Sequence, residues 1–336
     1  MIRIISRIFG VFLCMILLTH MSVHAKTNVI FDHDGGVDDF SALMVILGAK
    51  NFELRAVTIQ PADCYKDPTV EATQKYLDFL GAKNVKIAAS NEEGVHPFPD
   101  AWRADSLAIQ RLIPKQGSIV STNRIESQSA PSLLAELLSG KEKYTLILTG
   151  PLYNLAAALK INPTIAKNIE RAYIMGGAVR VKGNIDDAPE AGEWNFYNHP
   201  QAAYEVLRAS IPITLVGLDA TNAVRVKDPL TSGSKSLIQL LKENTSSRTS
   251  QLAYQTWHVA QETIDSGIYY FWDTLTAAAA IEPKILRTTP MKIKVLTRAP
   301  FEGKTIETQD VDGRLIDVAV GVNKSLFQST VLKALR

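Results

Sequence analysis

The chain has 336 residues, with 36 Lys and Arg against 34 Asp and Glu. That balance leaves no basic excess to neutralise a phosphate backbone, so a nucleic acid polymer is not an expected partner. With only Cys14 and Cys64 as cysteines, a disulfide framework is excluded as well.

In chain order, residues 1–25 read as a secretory leader. Arg3 and Arg7 give a positive start, "IFGVFLCMILL" is an apolar core too short to span a bilayer comfortably, and "SVHA" ends in a small-residue cleavage site after Ala25. Leu13 is bulky where a lipoprotein signal carries a small residue before its cysteine. The expectation is export, to the periplasm or beyond, with residues 26–336 forming one domain that makes no stable membrane insertion. An uncleaved N-terminal anchor is the alternative. Loss of the leader leaves 34 residues of each charge sign, and Cys64 as the only thiol.

Beyond the leader, strand and helix patterns alternate. Strands are expected at "NVIF", "LRAVTIQ", "VKIAAS", "YTLILTG", "RAYIMGG" and "ITLVGLDA". Helical patterns such as "VDDFSALMVILGA", "TVEATQKYLDFLG" and "PLYNLAAALKI" lie between them. Short, continuously apolar strands separated by amphipathic helices predict an α/β fold of one domain. Its central sheet is mostly parallel, open and Rossmann-like, with helices on both faces. Ligands of such folds collect beyond the carboxyl ends of the strands.

The first strand end is crowded with acid. "FDHDGGVDDF" places Asp32, Asp34, Asp38 and Asp39 within eight positions, around Gly35 and Gly36. Helix N-capping accounts for one or two of them, because Asp favours the first turn and its unpaired N–H groups. The rest are repelling carboxylates that need a cation. Oxygen ligands in one place suit Ca²⁺ better than Zn²⁺, and no Cys/His set with zinc spacing accompanies them. Later strand ends add polar groups: Thr149 in "LILTGPLYNLA", Glu193, Trp194 and Asn195 in "GEWNFYNHPQAA", and Asp273 in "YYFWDTLTAAAA". Each alone reads as a cap or a loop hydrogen bond.

Together these blocks resemble the nucleoside hydrolase family, the Ca²⁺-dependent N-ribohydrolases, whose hallmark is D-T-D-x-G-x-D-D. The chain has Asp32-His33-Asp34-Gly35-Gly36-Val37-Asp38-Asp39, with His33 in place of the usual Thr. "TGPLYNLA", "MGG", "GEWNFYNHPQAA" and "WDTLTAA" follow in the family's order. The resemblance implies Asp34 as the base that activates water, with Asp34, Asp39, Asp273 and the Thr149 carbonyl holding Ca²⁺. It implies Asp38, Asn184, Glu193 and Asn195 on the ribose, with Met175 lining the pocket. Asp32 is left to support the loop.

The base-binding residues resemble the purine-specific inosine–adenosine–guanosine branch. Trp272 stands where many relatives carry a histidine, "HPFPDAWR" supplies Trp102, and "QPADCYKD" supplies Asp63. The implied substrates are inosine, adenosine and guanosine, with the purine stacked between Trp102 and Trp272 and touched by Asp63. Two indole faces favour a protonated purine through cation–π attraction. The segment "WHVAQETIDSGIYYFWD" is expected to form a mobile lid, and the branch suggests a homodimer. Alternatives are a broad or pyrimidine preference, a haloacid-dehalogenase-type phosphatase using "FDHDGG", and an exported nucleoside-binding protein.

Overall fold

The computed structural model describes residues 26–113 and 121–336, so the leader pattern lies outside the described residues. Ten strands form one sheet: β1 (Thr27–His33), β2 (Phe52–Ile59), β3 (Lys86–Ala89), β4 (Arg124–Ile125), β5 (Tyr144–Leu148), β6 (Ile169–Met175), β7 (Ile213–Val216), β8 (Leu286–Val295), β9 (Thr305–Glu307) and β10 (Arg314–Val322). Their order is β4-β3-β2-β1-β5-β6-β7-β10-β8-β9. From β4 to β10 every pairing is parallel, and β8 alone runs against its neighbours.

The alternation of side chains along the central strands divides the core into two layers. On β1, Val29 and Phe31 enter one apolar cluster, while Ile30 enters the other. On β5, Ile147 takes the first side and Leu146 and Leu148 the second. The first cluster is covered by the helices Val37–Gly48, Lys66–Phe79, Arg248–His258, Trp272–Ile281 and Lys324–Ala334. The second lies under Ala130–Leu138, Tyr153–Ile161 and Pro200–Arg208. Each fully buried Phe or Ile contributes about 1.5–3 kcal/mol, so the paired layers fix the sheet firmly.

The six predicted strands all form, and the "LDA" tail of the last one turns into a short helix, Leu218–Thr221. The C-terminal antiparallel edge carries weaker signals. In β8 the buried Met291, Ile293 and Val295 alternate with more exposed positions, which marks a half-covered strand. Pro290 sits in β8 beyond the reach of β9, where its missing N–H costs no ladder bond.

The expected lid takes a more anchored form. Residues 248–266 are mostly the two helices Arg248–His258 and Gln261–Ser266. The segment after them is bridged to the chain at Arg225 through Tyr270, with Val226 N–H donating to Tyr269 O at 3.0 Å and Phe271 N–H to Val224 O at 3.0 Å. Backbone pairing and the burial of Trp257 and Phe271 hold it against the core.

Candidate active site

β1 delivers the acidic turn to the carboxyl edge of the sheet. Gly35 has φ +93°, and a Cβ there would lie 2.5 Å from Thr69 Oγ1, so only glycine fits. A Cβ on Gly36 would lie 2.7 Å from Asp63 Oδ2 and 3.0 Å from Asp38 Oδ1. The two glycines therefore let the chain turn inside a ring of carboxylates.

The four aspartates of the turn do different things. Asp32, fully buried, accepts from Thr58 Oγ1 at 2.5 Å, from Asn154 Nδ2 at 2.8 Å and from Gln60 Nε2. It ties β1 to β2 and to the helix after β5, and burial still pushes its carboxyl up to about 7. Asp39 caps its own helix: Oδ2 accepts the N–H groups of Gly35 and Gly36, both at 2.8 Å. Its Oδ1 accepts Thr149 Oγ1–H at 2.5 Å. A carboxylate offers about four lone-pair directions, so one remains for a ligand. Asp34 Oδ2 accepts Asp63 N–H at 3.3 Å, and Cys64 N–H reaches Asp34 O at 3.1 Å, which latches the loop after β2 onto the turn. Asp38 accepts from Tyr269 Oη at 3.2 Å.

Asp273, in the first turn of the helix Trp272–Ile281, completes the group because that helix packs along Val37–Gly48. Its carboxyl faces that of Asp38, and Asp34 faces Asp39 in the same way. Carboxyls meet in this way only with a proton or a cation between them. Burial first, then the neighbouring charges, raise Asp34, Asp63 and Asp273 well above the usual carboxylate range, and Asp38 to about 7. Among the described residues, no three His, Cys, Asp or Glu side chains stand as a finished metal shell. The donor set is nonetheless all oxygen, buried and mutually repelling, which fits a hard divalent cation.

The ribose-side residues gather beside this cluster. The Thr149 carbonyl accepts from Asn195 Nδ2 at 2.9 Å, keeping a second lone pair. Asn195 Nδ2 also stands 3.4 Å from Met175 O and Sδ, so Met175, Thr149 and Asn195 meet at the ends of β5 and β6. Glu193 caps the helix Trp194–Asn198 through Asn195 N–H at 2.9 Å and Phe196 N–H at 3.4 Å, and holds Gly177 N–H at 3.0 Å. Burial lifts its carboxyl to about 7 against those three bonds. Asn184 differs: it is exposed, and its Oδ1 accepts Trp194 N–H at 3.1 Å, so in this conformation it braces the loop.

The two tryptophans occupy separate aromatic groups. Trp272 is tilted against Tyr269 at 5.0 Å and Tyr270 at 5.7 Å, shares an apolar patch with Met175, and has a buried Nε1–H without a hydrogen-bond partner. Trp102 is 44% exposed and leans edge-on against Trp194 at 5.3 Å. Phe98 stacks on Trp194 at 4.9 Å, and His96 stacks on Tyr197 at 4.1 Å. Trp102 thus sits on an aromatic shelf built on the Trp194–Asn198 helix, a shelf that the letters "HPFPDAWR" did not announce. Tyr269 as a partner of Asp38, and Gln60 and Asn154 as partners of Asp32, were also not legible, because each bond joins distant segments.

His33 is wholly buried. Its ring stacks on Phe31 at 4.9 Å and meets Phe40 edge-on at 5.7 Å. Nε2 lies 3.3 Å from Thr73 Oγ1, and Nδ1 lies 4.0 Å from Asp39 Oδ2. Burial lowers its pKa, so the imidazole is a neutral packing group behind the turn.

A parallel sheet with buried acids gathered at its carboxyl edge is the α/β arrangement in which ligands collect beyond the strand ends. Residues 29–329 match the inosine-uridine preferring nucleoside hydrolases, and the chain belongs to that family. It is accordingly an N-ribohydrolase, an enzyme of the N-glycosidic bond. The inosine-uridine preferring nucleoside hydrolase of Bacillus anthracis superposes with a TM-score of 0.81 at 33% identity, over 92% of this chain and 99% of that one. The probable uridine nucleosidase 2 of Arabidopsis thaliana is 26% identical over 299 residues, 85% of this chain and 87% of its own length. The pyrimidine-specific ribonucleoside hydrolase RihA of Shewanella woodyi is 32% identical over 207 residues, 60% of this chain and 62% of RihA.

Proposed function

We propose that the protein hydrolyses purine ribonucleosides to free base and ribose, with a Ca²⁺ ion held by Asp34, Asp39, Asp273 and the Thr149 carbonyl. The observation that carries this reading is the meeting of Asp34, Asp38, Asp39, Asp63 and Asp273 in one buried cluster beside Thr149 and Asn195. Bound there, the ion supplies the positive charge that binds the ribose diol and acidifies nearby water.

The chain's own groups do the rest. Asp34 takes the proton of the attacking water, whose oxygen bonds to C1′. The C1′–N bond breaks, its electron pair leaves with the base, and the base picks up a proton. Positive charge develops on the ribosyl ring as that bond stretches. Asp38, Asn195 and Glu193 hold the hydroxyls, and the two carboxylates place negative charge around the ring. Indole faces at Trp102 and Trp272 stabilise the cationic form of a purine, by about 0.5–2 kcal/mol each. Asp63 accepts a hydrogen bond from the base. Asn184 reaches the sugar on release of its bond to Trp194.

A second reading, pyrimidine preference, is favoured by the names of the Arabidopsis and Shewanella relatives. Purified protein assayed without phosphate on inosine, adenosine, guanosine, uridine and cytidine separates the two. The expected result is free purine with ribose, and kcat/KM on inosine at least about tenfold above uridine. Faster cleavage of uridine would establish the second reading. The leader pattern of residues 1–25 supports action after export, with Lys26 as the mature N-terminus. N-terminal sequencing of the exported protein tests that point. A homodimer remains part of the proposal, checked by sedimentation.

A further inference from the structure

Arg103 is a cation placed among carboxylates. Its side chain is only 13% exposed, and its one ion pair among the described residues is a long one, 3.8 Å to Glu93, itself 69% exposed. Its guanidinium carbon lies 4.8 Å from the centre of the Tyr65 ring. Its Nε–H is buried and has no hydrogen-bond partner. An unpaired buried donor is costly, so the position is not explained by stability alone.

The surroundings suggest what the guanidinium does. Ser106 Oγ–H donates to Arg103 O at 2.8 Å, and Ser106 Oγ in turn accepts Tyr65 N–H at 3.3 Å. Tyr65 Oη lies 3.5 Å from Asp100 Oδ1. These bonds stitch the loop of Asp63 to the short helix Asp100–Arg103, which carries Trp102. Asp63 N–H in turn donates to Asp34 Oδ2 at 3.3 Å, so the clasp holds this loop between the acidic turn and the helix of Trp102.

We propose that Arg103 is a positioning residue for the leaving base: packed on Tyr65, it clasps the loop of Asp63 to the helix of Trp102, so that a purine is gripped from its edge and its face. The inference rests on the reading of Asp63 and Trp102 as base contacts. A planar guanidinium stacked on Tyr65 has one orientation, which an ammonium group does not share.

The test uses the full protein with Ca²⁺ and two substrates, inosine and p-nitrophenyl riboside, whose leaving group needs no help from base contacts. Arg103→Gln is expected to lower kcat/KM on inosine by about tenfold to a hundredfold and to leave the nitrophenyl substrate within about twofold. Arg103→Lys is expected to recover only a small part of the loss. Combined with Asp63→Asn, Arg103→Gln is expected to cost less than the two separate losses taken together, because both act on the same grip. Equal losses on both substrates, full recovery by lysine, or additive losses in the double variant would each overturn the proposal. Failure of the wild type on inosine with retained nitrophenyl cleavage would instead sink the purine reading.

Discussion

Asp32 and Asp34, two residues apart, separate structure from chemistry. Asp32 receives hydrogen bonds from Thr58, Gln60 and Asn154, and each of those donors is buried. Asp32→Ala strands all three, and a loss of about 2–4 kcal/mol in unfolding free energy is expected. Asp34 faces like charges. Asp34→Asn removes one of the repelling carboxylates, so its melting temperature should hold or rise while kcat falls by about 10²–10⁴. Calorimetry and steady-state kinetics on the two variants check the contrast, and a reversal would reassign the turn. The sequence suggests such a division, since four acids in eight positions exceed what capping can use. It was silent on which donors hold Asp32, because Thr58, Gln60 and Asn154 are 26, 28 and 122 positions away. It had marked His33 as an irregularity, and the fold gives that ring a packing role between Phe31 and Phe40.

Among the elements, the parallel half of the sheet was legible because its strands are covered on both faces and so remain apolar throughout. β1, with Val29, Ile30 and Phe31 all buried, is the clearest case. The antiparallel edge was not legible. β9 has three residues, and β8 interrupts its pattern with Thr288, Thr289 and Pro290. The anchoring of the region before Trp272 was not legible for a related reason. Trp257, buried with its Nε1–H on Ser41 Oγ at 3.1 Å, fastens it to the helix after β1. The shelf under Trp102 depends on Asn198, whose Nδ2 donates to His96 O at 2.9 Å while its carbonyl accepts Val95 N–H at 2.8 Å. Such long-range clasps leave no local pattern to read.

At the scale of the whole molecule, the buried acids link folding to protons and to the cation. Asp32, Asp38 and Glu193 are each raised to about 7, mainly by burial. Their folded pKa values exceed the unfolded ones, so the folded state binds more protons. The stability they contribute is complete below about pH 4 and is lost as pH rises through about 7. In chelator, the melting temperature is therefore expected to fall between about pH 5 and pH 7.5. Millimolar Ca²⁺ should reduce or reverse that fall, because the ion takes the place of protons among Asp34, Asp38 and Asp273. A chelated protein that becomes more stable over this range would contradict the assignment of buried, protonated acids.

The most direct test of the account follows inosine cleavage in phosphate-free buffer, in protein stripped with EGTA and then given Ca²⁺. The account predicts little hypoxanthine from the stripped protein, and restored release of hypoxanthine and ribose in equal amounts once Ca²⁺ returns. Undiminished activity in EGTA, or a requirement for phosphate with ribose 1-phosphate as product, would contradict it.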